Sequence, residues 1–265
     1  MTSRVAGIAS ALLILALAAT TADAQRQSYR ERDSKAQAGQ FDYYLLALSW
    51  SPTYCAGLSG GRTDPQCHGR TARPYGFVLH GLWPQFERGW PQYCRSDDRG
   101  FVPRPVARRM LDIMPSDKLI FNEYRKHGTC SGLGVDGYFA LARRLYEKVK
   151  IPRRFQRVTD ERLIVNRDDV IEDFLTANPQ LKPDMLAVAC GGPGNRLREV
   201  RICFDRGGNF RHCGPNENQR KLCSADRLYV PPVRGGSGAS QSLPDDRPSR
   251  PQQDILPGPR DERRL

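Results

Sequence analysis

The chain alternates between apolar runs and polar segments rich in glycine and proline, and four of the runs have the length of strands. FDYYLLALSW (41–50) and YGFVLHGLW (75–83) have the aromatic and aliphatic density of buried strands. MLAVAC (185–190) and LREVRICFD (197–205) predict two more, although the apolar alternation in the last is imperfect. We expect the strand of 75–83 to end at Gly81 or soon after, which places His80 at its end.

Helical patterns fill the middle of the chain. Residues 106–114 form a short amphipathic segment, and Ser116 is an N-cap residue for a helix that runs to His127. Further helix or turn starts are predicted at Asp136, which precedes GYFALARRLYEKVK, at Thr159 and at Asp168-Asp169. Because amphipathic helices bury one face, we expect them to pack on the sheet that the strands form.

The first 24 residues have the pattern of a secretory signal. Arg4 supplies a positive charge, residues 8–19 an apolar run, and Ala22-Asp23-Ala24 a small-x-small cleavage site. A membrane anchor is the competing interpretation, but the run is shorter than the roughly 20 apolar residues of a spanning helix. We therefore predict an exported protein, periplasmic or secreted, with no membrane span after cleavage of residues 1–24.

The rest of the chain divides into three segments. Residues 25–40 are polar without apolar periodicity and are predicted to be a flexible lead-in. Residues 41–231 hold the predicted strands and helices and suit a single domain. Residues 232–265 are rich in Gly, Pro, Ser and Gln and are predicted to be a disordered tail, for which a tethering or docking role stays open.

Eight cysteines in an exported chain predict a disulfide framework, because oxidising compartments let such bonds form and persist. They are residues 55, 67, 94, 130, 190, 203, 213 and 223. A zinc site is the alternative, but Cys67-His68 and His212-Cys213 are only isolated adjacent pairs, which do not easily chelate one ion. We predict four bridges and no metal site.

The chain carries 41 Lys and Arg against 29 Asp and Glu, a net charge of +12. A surplus of that size attracts polyanions and makes their binding salt-dependent. Basicity for solubility alone is the alternative, so the charge favours a nucleic-acid partner without requiring one.

The residues best suited to chemistry lie in FNEYRKHGTC and FVLHGLWPQ. Glu123, Lys126 and His127 share one face of the predicted helix, and the second string supplies His80. Two imidazoles can hold opposite protonation states, so that one accepts a proton while the other returns one and a cation stabilises the developing charge. This set of groups can cleave a phosphodiester, as in RNA, without a metal.

Other interpretations of these residues are open. The helix face can be a solvated ion-pair face, and Trp83 can be a core residue or an indole surface on which a base stacks. His68 and His212 lie in Cys-flanked loops without a spaced carboxylate or cation, and we expect neither to be catalytic. A zinc protease is excluded because the HExxH pattern is absent.

FVLHGLWPQ and FNEYRKHGTC resemble the two active-site segments of the ribonuclease T2 family, and LALSWSPTYC and LREVRICFD resemble its framework strands. The resemblance spans about residues 41–223. It implies an α+β fold, an antiparallel sheet flanked by helices and stapled by disulfides. It also implies that His127 is the general base toward the ribose 2′-OH, that His80 is the general acid for the departing 5′-oxygen, and that Lys126 and Glu123 stabilise the phosphorane.

The resemblance has one departure and one further implication. Where the family often has a third histidine that holds the phosphate, this chain has Asn122, which can donate a hydrogen bond but carries no charge. The implied bridges are Cys94–Cys130, Cys190–Cys223 and Cys203–Cys213, which leaves Cys55–Cys67 by elimination.

The sequence thus predicts an exported endoribonuclease that cleaves single-stranded RNA through a 2′,3′-cyclic phosphate to 3′-phosphate ends. We expect little base specificity, no cofactor, a monomer, and substrate contacts from Trp83 and Asn122. The alternatives are a basic RNA-binding or toxic protein on the same scaffold with secondary or lost catalysis, and a metal-dependent phosphodiesterase, for which no ligand spacing is present.

Overall fold

The computed structural model describes residues 37–58, 64–68 and 74–233. Six strands lie within these residues: β1 Tyr43–Trp50, β2 Phe77–Gln85, β3 Leu163–Asn166, β4 Leu186–Gly191, β5 Arg196–Phe204 and β6 Arg227–Val230. The α-helices in the same ranges are α1 Ser51–Gly57, α2 Pro65–His68, α3 Arg104–Met110, α4 Asp117–Lys126, α5 Gly134–Lys148, α6 Arg167–Ala177 and α7 Gln219–Leu222.

The strands form one sheet in the order β2-β1-β5-β6-β3, with β4 also paired to β5. All pairs are antiparallel except β5 with β6, which are parallel where Arg196 meets Tyr229. The predicted α+β class is therefore confirmed, with one parallel contact in an otherwise antiparallel sheet. Strand β2 ends this order, and helix α4 contacts it.

The two faces of the sheet differ. Alternate residues of β1, such as Leu46 and Leu48, face the main core together with α5 residues Tyr138 and Leu145. Tyr43 and Leu45, also of β1, point to the opposite face and form a small second cluster with Cys203, against which Trp83 packs. Chemistry-bearing side chains of β2 and β5 can therefore collect on the face opposite the main core.

A β-bulge in β2 sets the direction of the His80 side chain. In the register of β1 with β2, Ala47 pairs with Gly81 and Leu48 with Leu79, so His80 is the extra residue. Leu79 and Leu82 are both fully buried in the main core, although strict alternation would place residues three apart on opposite faces. The extra residue lets both Leu79 and Leu82 face the core and leaves His80 and Gly81 outside it.

Strand β5 repeats this device beside β4. Ala189 pairs with Glu199 and Cys190 with Leu197, so Arg198 is the extra residue. Leu197 and Val200, again three apart, are both fully buried. This bulge explains the imperfect alternation of LREVRICFD.

Four disulfides staple the described residues, and their pairing is the predicted one. They are Cys55–Cys67, Cys94–Cys130, Cys190–Cys223 and Cys203–Cys213. In this part of the chain, none of the helices has the length and apolar character that crossing a bilayer requires. The predicted signal segment, residues 25–36 of the lead-in and residues 234–265 of the tail lie outside the described residues.

Several predicted boundaries were wrong. Strand β2 continues to Gln85 because its pairing with β1 extends to Tyr43, so His80 lies inside the strand rather than at its end. Helix α5 begins at Gly134, and Asp136 lies in its first turn instead of capping it. Helix α3 begins at Arg104 and ends at Met110, with Pro105 in its first turn.

The remaining helix starts had mixed outcomes. Ser116 is the N-cap residue of α4, as predicted, although its side chain makes no capping hydrogen bond. Asn166, not the following aspartates, caps α6, and Asp169 completes a capping box with it. Thr159 begins no helix; its hydroxyl accepts a hydrogen bond from the Glu161 backbone N–H.

Candidate active site

His80 lies between two carboxylates. Its Nδ1 is 2.7 Å from Oε1 of Glu199 on β5, and its Nε2 is 3.5 Å from Oε1 of Glu123 on α4. The side chain is one-third exposed, at 33%, whereas both carboxylates are largely buried. The bulge in β2 therefore brings this imidazole to a junction of sheet and helix while leaving it open to solvent.

The carboxyl end of α4 supplies the second imidazole. Glu123 and His127 are both buried, and the His127 backbone N–H donates to the Glu123 carbonyl at 2.9 Å, which closes the last turn. Cys130, three residues further on, is bonded to Cys94, and the Cys130 N–H donates to the His127 carbonyl. The helix end that carries His127 is thus fixed from both sides.

Trp83 holds the two halves of the site together. Its indole Nε1 donates to Oε2 of Glu123 at 2.6 Å, and its ring stacks on His127 with centroids 5.1 Å apart. The edge-on ring of His80 lies 5.2 Å away, and the Arg201 guanidinium lies over the indole at 5.4 Å. Trp83 thus contacts both imidazoles, and its ring, on which we expected a base to stack, already packs against His127 and Arg201.

Gly81 is required by this arrangement. A Cβ at this position would lie 2.2 Å from Oε2 of Glu123 and 2.4 Å from Nε1 of Trp83, distances that real side chains do not show. The hydrogen bond between Trp83 and Glu123 therefore passes directly over the backbone of β2, where only glycine leaves space.

Two charged residues of the site were not predicted. Glu199 and Arg201 alternate along β5, and Arg201 donates to Oε2 of Glu199 from Nε at 3.0 Å and from Nη2 at 2.9 Å. Both side chains are mostly buried, at 13% and 22% exposure. Their signal in the sequence was two charged residues at alternating positions of a strand flanked by buried apolar residues.

The surroundings drive the two imidazoles toward opposite protonation states. Burial lowers the pKa of His80, but the hydrogen bond to Glu199 and the charges of Glu123 and Glu199 outweigh it, and the net pKa lies above the usual 6.5. Burial, helped by the charges of Lys126 and His80, lowers the pKa of His127 to about 3. Between about pH 3 and 6.5 His127 is therefore neutral, while His80 favours its charged form.

The two carboxylates also differ. Burial raises the pKa of Glu123 despite the opposing charge of His80 and the hydrogen bond from Trp83. Burial also opposes ionisation of Glu199, but the hydrogen bond and charge of His80, with the charge of Arg201, hold its pKa at about 2. Glu199 is thus ionised above about pH 2, whereas Glu123 binds a proton more readily than an ordinary glutamate does.

The other predicted residues lie at or beyond the edge of this cluster. Lys126 is half-buried on α4, and its charge acts on both Glu123 and His127. Asn122 is exposed, and its Oδ1 accepts a hydrogen bond from Arg125 at 3.3 Å, so its predicted role in substrate binding stays a prediction.

Two histidines remain, His68 and His212. His212 pairs with Asp184 on the surface, so the expectation that it has no carboxylate to help it was wrong. The side chain of His68 lies outside the described residues. Within those residues, no three Cys, His, Asp or Glu side chains converge into a group that could hold a metal.

The fold and the site together define a class of protein. An α+β domain that brings two imidazoles together with carboxylates and a lysine has the groups that general acid–base catalysis requires. Residues 41–213 match the model of the ribonuclease T2 family, and the chain belongs to this family. The predicted resemblance is thereby confirmed.

Individual relatives agree with this membership. The chain is similar to a ribonuclease of Aeromonas hydrophila, 41% identical over 121 residues that are 46% of this chain and 52% of the relative. It is also similar to a probable ribonuclease of Haemophilus influenzae, 30% identical over 184 residues that are 65% of this chain and 61% of the relative. The chain therefore spans about half to three-fifths of the length of these two relatives.

A solved structure shows the same fold. Trichomaglin, described as a novel S-like ribonuclease, superimposes with a TM-score of 0.57 at 22% identity, covering 73% of this chain and 99% of that protein. At this identity the likeness concerns the fold alone.

Proposed function

We propose that this protein is an endoribonuclease that cleaves RNA by transphosphorylation, with His127 as the general base and His80 as the general acid. The observation that carries the proposal is the placement of the two imidazoles on either side of Trp83, with His127 buried next to Lys126 and His80 between two carboxylates; this placement pushes their pKa values in opposite directions. Membership of the ribonuclease T2 family supports the same chemistry.

The mechanism follows from these protonation states. Neutral His127 accepts the proton of the ribose 2′-OH, and the 2′-oxygen bonds to phosphorus. The bond from phosphorus to the 5′-oxygen breaks, and that oxygen takes a proton from protonated His80. The products are a 2′,3′-cyclic phosphate and a free 5′-OH, and water later opens the ring to a 3′-phosphate. Since the 2′-OH is the nucleophile, DNA is spared.

Lys126 and Glu123 are proposed to stabilise the phosphorane. Lys126 supplies a positive charge beside His127, and Glu123, whose pKa is raised by burial, can share a proton with an equatorial oxygen. Preorganised charge of this kind adds a rate factor comparable to that of an acid or a base, about 10² to 10³ per group. Trp83 keeps Glu123 in place through the 2.6 Å hydrogen bond, which favours positioning over base stacking as its main role.

The finer features are also proposed. We infer that residues 1–24 direct export to the periplasm or the medium and are removed, and that residues 41–231 are the catalytic domain. The four disulfides support an oxidising destination. The substrate is single-stranded RNA, drawn by the net charge of +12, with little base specificity, and the enzyme acts as a monomer.

The test is cleavage of a defined RNA in the presence of EDTA, with the products identified by ³¹P NMR. The proposal requires cyclic-phosphate ends with EDTA present and complete resistance of the same RNA carrying 2′-O-methyl groups at every position. Cleavage of the methylated RNA, or loss of activity on chelation, overturns it. Digestion of the four homopolymers tests the base tolerance.

A His127→Ala variant separates this function from an RNA-binding or toxic protein with lost catalysis. Removing the base should lower the cleavage rate by about 10² to 10⁴ while RNA binding persists. If the biological effect of the protein survives in this variant, binding rather than cleavage is its function.

A further inference from the structure

One nitrogen of His80 is already committed to the protein. Its Nδ1 lies 2.7 Å from Oε1 of Glu199, a distance typical of a charge-assisted hydrogen bond. Glu199 is ionised, so Nδ1 carries the hydrogen and donates it. The proton that His80 can give to a substrate is therefore the one on Nε2, the nitrogen that faces Glu123.

Glu199 is itself held in place. Arg201 directs Nε and Nη2 to Oε2 at 3.0 and 2.9 Å, which leaves Oε1 for His80. The guanidinium also lies over Trp83, which contacts both imidazoles. The carboxylate thus cannot turn away from His80 without breaking contacts with Arg201.

Strand register brings Glu199 and His80 together. They lie on β5 and β2, with β1 between these strands, and Ser49 of β1 pairs with both Glu199 and Val78. Each strand has a β-bulge close to this contact, at His80 in β2 and at Arg198 in β5. Bulges re-aim side chains near functional sites, and here each bulge lies at or beside one member of the pair.

We propose that Glu199, clamped by Arg201, is the positioning residue of the general acid: it fixes the ring orientation and tautomer of His80 so that Nε2 carries the transferable proton. This proposal rests on the proposed function, since it needs His80 to be the acid. It follows the logic by which a buried carboxylate orients the imidazole of a catalytic triad without touching the substrate.

The charges that face His80 come from several elements. Glu199 and Arg201 lie on β5, Glu123 lies on α4, and His127 follows α4. Glu199 and Glu123 raise the pKa of His80, and Arg201 lowers it. Replacing Glu199 with glutamine keeps a possible acceptor for Nδ1–H but removes one anion, so the pKa of His80 should fall.

The first experiment compares two substrates in the Glu199→Gln variant. A dinucleoside phosphate such as UpA has an alkoxide leaving group that needs the proton of His80, whereas uridine 3′-(4-nitrophenyl phosphate) releases a phenolate that does not. We expect kcat on UpA to fall by about 10- to 100-fold with KM within about twofold, and the loss on the nitrophenyl ester to stay below about threefold. An equal loss on both substrates indicates general damage and overturns the proposal, as does no loss on either.

The second experiment follows the His80 imidazole by NMR through a pH titration, with a His80→Ala sample to assign its signal. The pKa of His80 should drop in Glu199→Gln, and the alkaline limb of kcat/KM should move to lower pH by the same amount. Glu87→Gln is the matched control, because Glu87 also pairs with an arginine, Arg211 at 2.9 Å, but is exposed and outside the site. An unchanged His80 pKa in Glu199→Gln overturns the proposal.

Failure of the proposed function looks different. If the wild-type protein cleaves neither substrate, the endoribonuclease proposal fails, while the titration still reports whether Glu199 controls the protonation of His80. If the wild type cleaves both substrates but the pKa of His80 is the same in the wild type and in Glu199→Gln, only the positioning role of Glu199 is wrong.

Discussion

Gly81→Ala is the substitution whose consequence the geometry determines most sharply. The new methyl carbon would lie 2.2 Å from Oε2 of Glu123 and 2.4 Å from Nε1 of Trp83, two atoms joined by a 2.6 Å hydrogen bond. Ordinary contact needs a separation above about 3.4 Å, so each atom must retreat by roughly 1 Å and the hydrogen bond breaks.

Two losses follow from this displacement. Overpacking costs about 1–3 kcal/mol of stability, and a hydrogen bond to a charged group contributes about 1.5–3 kcal/mol, so we expect a destabilisation of about 2.5–6 kcal/mol. Because Glu123 and the stacked His127 are held through Trp83, a shift of about 1 Å should also lower kcat/KM by about 100-fold.

The assays are urea unfolding and kcat/KM on a short RNA under conditions where the variant is fully folded. Gly57→Ala is the matched control, because a Cβ there has no neighbour within 4 Å and the residue ends helix α1. It should stay within about 0.5 kcal/mol of the wild type and keep full activity. A folded Gly81→Ala enzyme with more than about one-third of wild-type activity would refute the reasoning.

Three other predictions concern pH and the disulfide next to the site. The kcat/KM profile should form a plateau from about pH 3, where His127 loses its proton, to above pH 6.5, where His80 loses its own; a maximum confined to alkaline pH contradicts the assignment. The folded pKa of His127 lies below its unfolded value, so the unfolded chain binds more protons between about pH 3 and 6.5, and the free energy of unfolding decreases as the pH is lowered through that window. Between pH 7 and 4 the wild type should therefore lose about 3 kcal/mol more than His127→Gln in urea titrations, and parallel losses contradict this. Removing the disulfide Cys94–Cys130, whose partners are 36 residues apart, should lower the free energy of unfolding by about 3–4 kcal/mol and should also reduce activity. A loss below about 1 kcal/mol in denaturant unfolding contradicts this prediction.

Much of the site was accessible from the sequence because its residues are local. Glu123, Lys126 and His127 lie on one helix, where a spacing of three or four residues predicts a shared face. Their approach to His80 came from the resemblance to a family, and the structure brings His80 and Glu123 to 3.5 Å. The family and the α+β class were confirmed by comparison and by the sheet.

Glu199 and Arg201 were missed for a physical reason. Their nearness to His80 depends on the register of β1 with β2 and β5 and on two bulges, none of which hydrophobic alternation alone specifies. In retrospect, LHGL and LREV carry the same signal: two buried residues three apart in a strand require an extra residue between them.

The short strands were missed for a different reason. LIVN of β3 and RLYV of β6 are four residues each, with one buried residue in β3 and two in β6. Such segments acquire strand geometry from pairing with each other, a long-range contact between residues over 60 positions apart, so local pattern carries little of the information.

The central claim is that His80 and His127 are held in opposite protonation states. An NMR titration of the wild-type protein, with His80→Ala and His127→Ala samples to assign the two imidazole signals, measures this directly. The account predicts that His127 stays neutral down to about pH 3 while His80 remains protonated above pH 6.5. Two imidazoles that both titrate near 6.5, or that titrate in the reverse order, would contradict it.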